Sequence, residues 1–291
     1  MKVLITGGSG HVGGVIQRHL ASMGWEMLDV SRSGTTRADI SAPDFPERVF
    51  ATVKQCDAIV HCAASLAKGL TDISISQVNG VGTQQVIGAA GLTGARCLVY
   101  ISSVPVIGHP EHLPVTEEHP TAPLTAYHAS KLFGEHLVRL AQTSALRTIS
   151  LRITSPIGPG TPPGRIFSEF VRRAGTGEPL ILAGRGGRRQ NYVDVRDVAE
   201  AVAQCIPSGA SGVFNIAGAA AVSNLELAQR CIKELKSDSV VSFSGVIDPE
   251  ENLAWEVSIE KARRSFSYEP AHSLEDSIQA LASAHESGHN Q

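Results

Sequence analysis

The sequence contains no apolar run longer than a few residues, which excludes a bilayer-spanning helix. Its five cysteines, at positions 56, 62, 97, 205 and 231, form no close pair; an odd and scattered count excludes a disulfide framework and fits a reducing compartment. Charge of one sign is also missing. With 25 basic and 28 acidic residues, the net charge of −3 gives no field that would recruit nucleic acid or an anionic membrane. There is no internal repeat and no low-complexity tract. The chain opens on Met1-Lys2-Val3-Leu4-Ile5, which reads as a strand and lacks the layout of a secretory signal, so a cytoplasmic setting is expected. What remains, at 291 residues, is one large domain or two of ordinary size.

Short β-rich runs alternate with helical patterns. Val3–Ile5, Ala58–Val60, Leu98–Ile101 and Ile149–Leu151 are apolar without strict alternation, as strands covered on both faces read. Between them, Val12, Val15, Ile16, Leu20 and Met23 form one helical stripe, and the stretch from Tyr127 to Thr143 forms another. The expected fold class is α/β, a doubly wound parallel sheet of the Rossmann type with a smaller C-terminal α/β domain for substrate. Residues 155–164, the densest Pro/Gly stretch, read as a loop leaving the main sheet. The text from about residue 218 reads as helical and polar, down to a terminal tail expected to fray. The expected division is 1–156 with 190–217 for dinucleotide binding, and 157–189 with 218–291 for substrate.

After the first strand, Gly7, Gly10, His11, Val12 and Gly13 form a glycine turn that opens a helix. Glycines at 7, 10 and 13 allow a tight turn and close approach of the backbone to a pyrophosphate, and the helix N-terminus offers free N–H groups. The second strand ends in Ser31-Arg32, where an acidic residue would favour NAD and an arginine favours NADP. This inclines the reading toward NADP, with a solvated surface charge as the competing account of Arg32. Asp39 and Ile40 are candidates for the adenine edge, although a helix cap would look the same.

Tyr127 and Lys131 lie four residues apart, on one face of a helix. A phenol with its ordinary pKa of about 10 is a poor base at neutral pH, and a neighbouring ammonium can lower it. Ser103 ends a strand at the sheet edge where open α/β sheets bind ligands, placed to hydrogen-bond a substrate oxygen.

Together these motifs resemble the extended short-chain dehydrogenase/reductases, specifically the NAD-dependent epimerase/dehydratase family. Further pieces match in order along the chain: His61-Cys62-Ala63-Ala64, Asn79 with Gly82 and Thr83, Ser102 to Gly108, Leu151-Arg152 through Gly158-Pro159-Gly160, Tyr192 to Ala199, and Tyr268-Glu269-Pro270. The resemblance implies an enzyme that transfers hydride between NAD(P) and a substrate alcohol or ketone. It implies Ser103, Tyr127 and Lys131 as catalytic residues, and cofactor contacts from Ala63, Ala64, Asn79, Ile101, Pro156 and Ile157, with Tyr127 and Lys131 also touching the cofactor. It also implies a small-molecule substrate such as a nucleotide sugar, and a homodimer. Two departures bear on substrate. Gln190 stands where many sugar-nucleotide members carry an arginine, so Arg188 or Arg189 takes that role beside Gln190, or the substrate lacks a diphosphate. Ser103-Val104-Pro105 lacks the carboxylates of the dehydrating members.

By the weight of the family resemblance, epimerase is ranked ahead of an NADP-dependent carbonyl reductase or dehydrogenase, toward which Ser31-Arg32 and Gln190 tilt the reading. A non-catalytic NADP sensor would not need Ser103, Tyr127 and Lys131. His109, His112 and His119, with Glu111, Glu117 and Glu118, crowd a Pro-rich stretch that lacks a zinc-site frame, and no metal is expected.

Overall fold

The computed structural model describes residues 1–34, 36–66, 69 and 71–288. Six strands arise by residue 153: β1 (Lys2–Thr6), β2 (Glu26–Ser31), β3 (Thr36–Arg37), β4 (Ala58–His61), β5 (Cys97–Ser103) and β6 (Arg147–Ile153). Their connections carry α1 (His11–Ser22), α2 (Phe45–Val53), α3 (Gly82–Thr93) and α4 (Ala126–Leu140), with a π-helical turn at Ile75–Val81 and a 3-10 turn at Val104–Ile107. There follow β7 (Ser155–Ile157), α5 (Ile166–Thr176), β8 (Leu180–Leu182), β9 (Arg189–Asp194), α6 (Val195–Cys205) and β10 (Gly212–Ile216). The chain ends through β11 (Ala221–Ser223), α7 (Asn224–Glu234), β12 (Val241–Phe243), α8 (Glu260–Phe266) and α9 (Leu274–Gly288).

The main sheet has the order β10-β6-β5-β4-β1-β2-β3, parallel at every step. Strand order reverses between β1 and β4, and a reversal of this kind opens a crevice at the carboxyl ends of the strands. Alternate residues feed opposite cores. Val3, Ile5, Val60 and Val99 pack with Ile16 and Leu20 of α1 and Val198 and Val202 of α6. Leu4, Ile59, Leu98 and Tyr100 pack with Phe45 and Val49 of α2, Val86 of α3 and Val138 of α4. Each fully buried aliphatic side chain contributes about 1.5–3 kcal/mol, which is why period-two strands with both faces apolar sit between two helix layers.

A smaller body is built from the three-stranded sheet β11-β9-β7 and the pair β12-β8, with Phe167, Phe170, Leu227 and Ile278 in its core. Three features differ from the reading of the sequence. The Pro/Gly stretch contains β7, an edge strand paired only with β9, where Pro156 costs no ladder hydrogen bond. The polar C-terminal third also contains β12 and an extended run before α8. Finally, Ile259, Ala262, Phe266 and Tyr268 return to the core of the dinucleotide-type body, so this part of 218–291 does not pack with the smaller one. The last helix reaches Gly288, and residues 289–291 of the expected frayed tail lie outside the described residues.

Candidate active site

Strand β1 delivers the chain into the glycine turn, and α1 starts one residue after Gly10 with neither a side-chain cap nor an acidic residue in its first turn. Its leading N–H groups and positive dipole end are thus left for an anion. Gly7 has φ +74°, and a Cβ there would lie 2.6 Å from the backbone nitrogen of Ala63. At Gly13 a Cβ would lie 2.2 Å from the carbonyl oxygen of Gly7. Only glycine fits either place. The turn is a backbone cradle of the kind a dinucleotide pyrophosphate requires, so the residues present fit that group. His11 ties the cradle to the Gly158-Pro159-Gly160 loop through Nε2 and the Pro159 carbonyl, 3.1 Å.

A chain of buried hydrogen bonds runs from this cradle to α4. His61 Nδ1 meets Thr6 Oγ1 at 2.7 Å and Nε2 meets Thr83 Oγ1 at 3.1 Å. Because Thr83 donates to the Asn79 carbonyl at 2.7 Å, its oxygen accepts from His61 Nε2–H, leaving Nδ1 to accept from Thr6. Burial and the Lys131 charge push His61 down to about 3, so it stays neutral. Asn79 holds the backbone of Ser65 from both sides, at 2.7 and 3.0 Å, and donates to Ser130 Oγ at 2.9 Å. Ser130 in turn donates to the Tyr127 carbonyl at 2.7 Å. Sequence reading took Asn79 for a cofactor contact, but its amide is spent inside this network and does not reach the cavity wall.

Helix α4 is capped by Thr125, whose hydroxyl accepts from His128 N at 3.1 Å, and it places Tyr127 and Lys131 one turn apart. Lys131 is buried, with its ammonium 4.5 Å from the centre of the Tyr100 ring. Burial lowers it to about 8, against the upward pull of Cys62 and Glu135, so it is predominantly charged at neutral pH. Glu135, one turn on, is clamped by Arg152 at 2.8–3.2 Å and by Ser102 Oγ at 2.5 Å. The Tyr127 phenol is pushed up by burial, and the cation that draws it back is Arg165. The Lys131 ammonium rests on the Tyr100 ring in the chain itself. Ser103, at the end of β5, has a hydroxyl with no partner among the described residues.

These groups open on one cavity of about 660 Å³. Of the residues singled out from sequence, Gly7, Gly10, His11, Val12, Gly13, Ala64, Ile101, Ser103, Tyr127, Lys131, Pro156, Ile157, Arg188 and Gln190 all line it. Ala63 lies behind Gly7, its N–H 3.4 Å from Thr6 Oγ1. Ser31, Arg32, Asp39 and Ile40 lie off this wall, at or beyond the end of β2. Ile40 is buried in the core, and a Cβ on Gly82 would come within 2.7 Å of it. Asp39 accepts from the backbone and hydroxyl of Ser41 at 2.9 and 2.7 Å, a local turn that lowers its pKa. Arg189 is a correction. Its guanidinium donates to Glu226 at 3.2 Å and to the Ala221 carbonyl, because strand alternation sends it opposite to Arg188 and Gln190.

Sequence reading missed Arg165, Phe167, Tyr192, Glu250, Leu253 and Trp255, all on the cavity wall. Among the described residues no cluster of His, Cys, Asp or Glu could hold a metal, and no helix is long and apolar enough to cross a membrane. His119 instead accepts from the Glu111 N–H at 2.9 Å and stacks on His112.

Fold and site define a dinucleotide-binding α/β enzyme with a phenol, an ammonium and a strand-end serine around one cavity. The sequence profile of the NAD dependent epimerase/dehydratase family matches residues 3–217, and the chain belongs to that family. It is 27% identical to the low-salt glycan biosynthesis protein Agl12 of Haloferax volcanii over 96% of this chain and 97% of that one. It is 32% identical to a UDP-glucose 4-epimerase of Streptomyces lividans over 47% of this chain and 46% of that one. The UDP-glucose 4-epimerase of Thermus thermophilus, solved with NAD, shares the fold with a TM-score of 0.83 at 24% identity, over 98% of this chain and 99% of that one.

Proposed function

We propose that the protein epimerises a nucleotide-linked sugar through transient oxidation at a ring carbinol. The observation that carries this reading is the single cavity joining the glycine cradle to Ser103, Tyr127 and Lys131 and, beyond them, to the guanidinium groups of Arg165 and Arg188. When bound, the nicotinamide supplies the acceptor and donor of hydride. Tyr127 takes the proton of the substrate hydroxyl at its phenol oxygen, with the Arg165 charge favouring the phenolate. Ser103 Oγ would donate to the same substrate oxygen, and buried Lys131 would hold positive charge on the cavity wall where the dinucleotide binds. Net inversion follows when the flattened sugar carbon presents its other face before reduction. Dehydration is disfavoured. Val104 and Pro105 follow Ser103 with apolar surfaces, and Glu250, the one carboxylate on the wall among the described residues, is paired with Arg188.

NADP is the dinucleotide proposed. Arg32 stands exposed at the end of β2, and the Ser31 hydroxyl is shielded from solvent without a partner among the described residues, as a donor awaiting a ribose phosphate would be. We assign dinucleotide binding to 1–156 with 190–217, joined by 259–268 which pack in the same core, and substrate binding to 157–189 with the remainder of 218–291, the two sharing β9. Exposed Phe133 and Leu140 on α4 and Leu92 on α3 support a homodimer, and five free cysteines support a cytoplasmic setting. Incubation with UDP-glucose, read by proton NMR, is expected to yield the 4-epimer with the cofactor retained by the protein. Net reduction of simple ketones with an exchangeable cofactor would establish instead the carbonyl reductase that Gln190 and Arg32 favour.

A further inference from the structure

The far end of the cavity carries a charge arrangement that hydride transfer does not require. Arg188 Nη1 lies 2.6 Å from Glu250 Oε2, while Glu250 Oε1 lies 3.8 Å from Nε2 of His109. All three residues line the cavity. The loops that bear Arg188 and Glu250 are already fastened by backbone. Arg185 and Gly187 N–H donate to Glu251 at 2.9 and 2.7 Å, Arg189 N–H donates to the Leu253 carbonyl at 2.9 Å, and Trp255 N–H donates to the Arg189 carbonyl at 3.1 Å. The Arg188–Glu250 pair is therefore not what docks one loop on the other.

Two donors in the same region are unspent. Arg188 Nε and the Tyr192 hydroxyl are both shielded from solvent and find no partner among the described residues, and Tyr192 is only 8% exposed. Both residues line the cavity, and burial pushes the Tyr192 phenol up while the Arg188 charge draws it back. Buried donors left without an acceptor are costly, and an arriving oxygen would relieve both. Arg165, which makes no ion pair among the described residues, adds a second cation on the same wall.

We propose that Glu250 is a specificity-determining residue whose carboxylate holds Arg188 until the diphosphate of an entering nucleotide sugar displaces it and takes Arg188 together with the Tyr192 hydroxyl. The identity of the ligand rests on the function proposed above; the displacement concerns any phosphoanion of that shape. One anion replaces another, so Arg188 remains compensated throughout, and the released carboxylate has His109 beside it. A sugar without an anionic tail has nothing with which to displace Glu250 and is discriminated against.

Trp255 lines the cavity and Trp25 is the only other tryptophan, so fluorescence in a Trp25→Phe background reports on this wall. Titration with inorganic pyrophosphate and with UDP is expected to show Glu250→Gln binding both about tenfold tighter, and Arg188→Gln binding both about tenfold weaker. A gain in affinity is not what a folding defect produces. An equal, weaker or absent response to pyrophosphate in Glu250→Gln would overturn the proposal. Tightening on pyrophosphate without turnover of UDP-sugars would leave the displacement standing and remove the nucleotide-sugar assignment. With a turned-over UDP-sugar, Glu250→Gln lowers KM while kcat stays within about twofold, because only ground-state competition is removed.

Discussion

The two halves of the cavity are built on opposite principles. On the cofactor side, the polar groups from Thr6 through His61, Thr83 and Asn79 to Ser130 are hydrogen-bonded to one another, buried and held on sheet or helix. On the substrate side, Arg165, Arg188, Tyr192 and Glu250 come mostly from loops, with an ion pair open to exchange and two buried donors unspent. A satisfied network fixes geometry, whereas an unsatisfied one waits for a ligand. On the function proposed above, the first half would define where the reaction occurs, and the second what is admitted to it.

Four changes would break or sharpen that contrast, in order of expected size. Tyr127→Phe is expected to lower turnover by about 10³-fold while dinucleotide affinity stays within a few-fold, since it deletes one proton acceptor and leaves the cradle intact. Steady-state rates and cofactor titration check this, and full activity would remove the base assignment. Gly13→Ala forces a Cβ to 2.2 Å from the Gly7 carbonyl, so a loss of about 3 kcal/mol or more in urea unfolding is expected, together with loss of dinucleotide binding.

Lys131→Met tests the cofactor half by stability. The folded pKa is about 8 against an ordinary 10.5. Between those values the unfolded chain holds a proton that the folded chain has released, so stability rises with pH from about 8 to 10.5. Below 8 the full cost of the buried ammonium is present. Lys131→Met is therefore expected to be more stable than the parent at pH 7 by about 2–3 kcal/mol, to lose activity, and to lack that rise. Chemical denaturation at several pH values measures all of this except activity. The smallest effect concerns Arg32→Ala, expected to weaken NADP about tenfold and NAD less than twofold in binding titrations; equal losses would discard the NADP preference.

What could be read from sequence follows the same division. The central strands of the main sheet announce themselves because both faces are buried and their middles are apolar, as in Val3–Ile5, Ala58–Val60 and Leu98–Ile101, and Ser103, Tyr127 and Lys131 sit in motifs whose spacing carries their chemistry. Glu250 lies in a turn and Trp255 in the irregular segment after it, with no periodicity, and only tertiary contact brings them to the wall. Arg165 had a local cue, since it ends the Pro/Gly stretch and begins α5, but nothing in its neighbourhood points to Tyr127. Arg188 and Arg189 were indistinguishable until the strand's alternation separated them, and β7 was hidden by a proline that an edge strand tolerates.

The stretch that carries Glu250 and Trp255 is anchored at both ends, by β12 pairing with β8 in the smaller body and by Ile259 and Phe266 sunk in the core of the larger. Shear between the two bodies would load that stretch, as it would the other crossings between them. It serves as a natural strain gauge, with an indole already mounted on it.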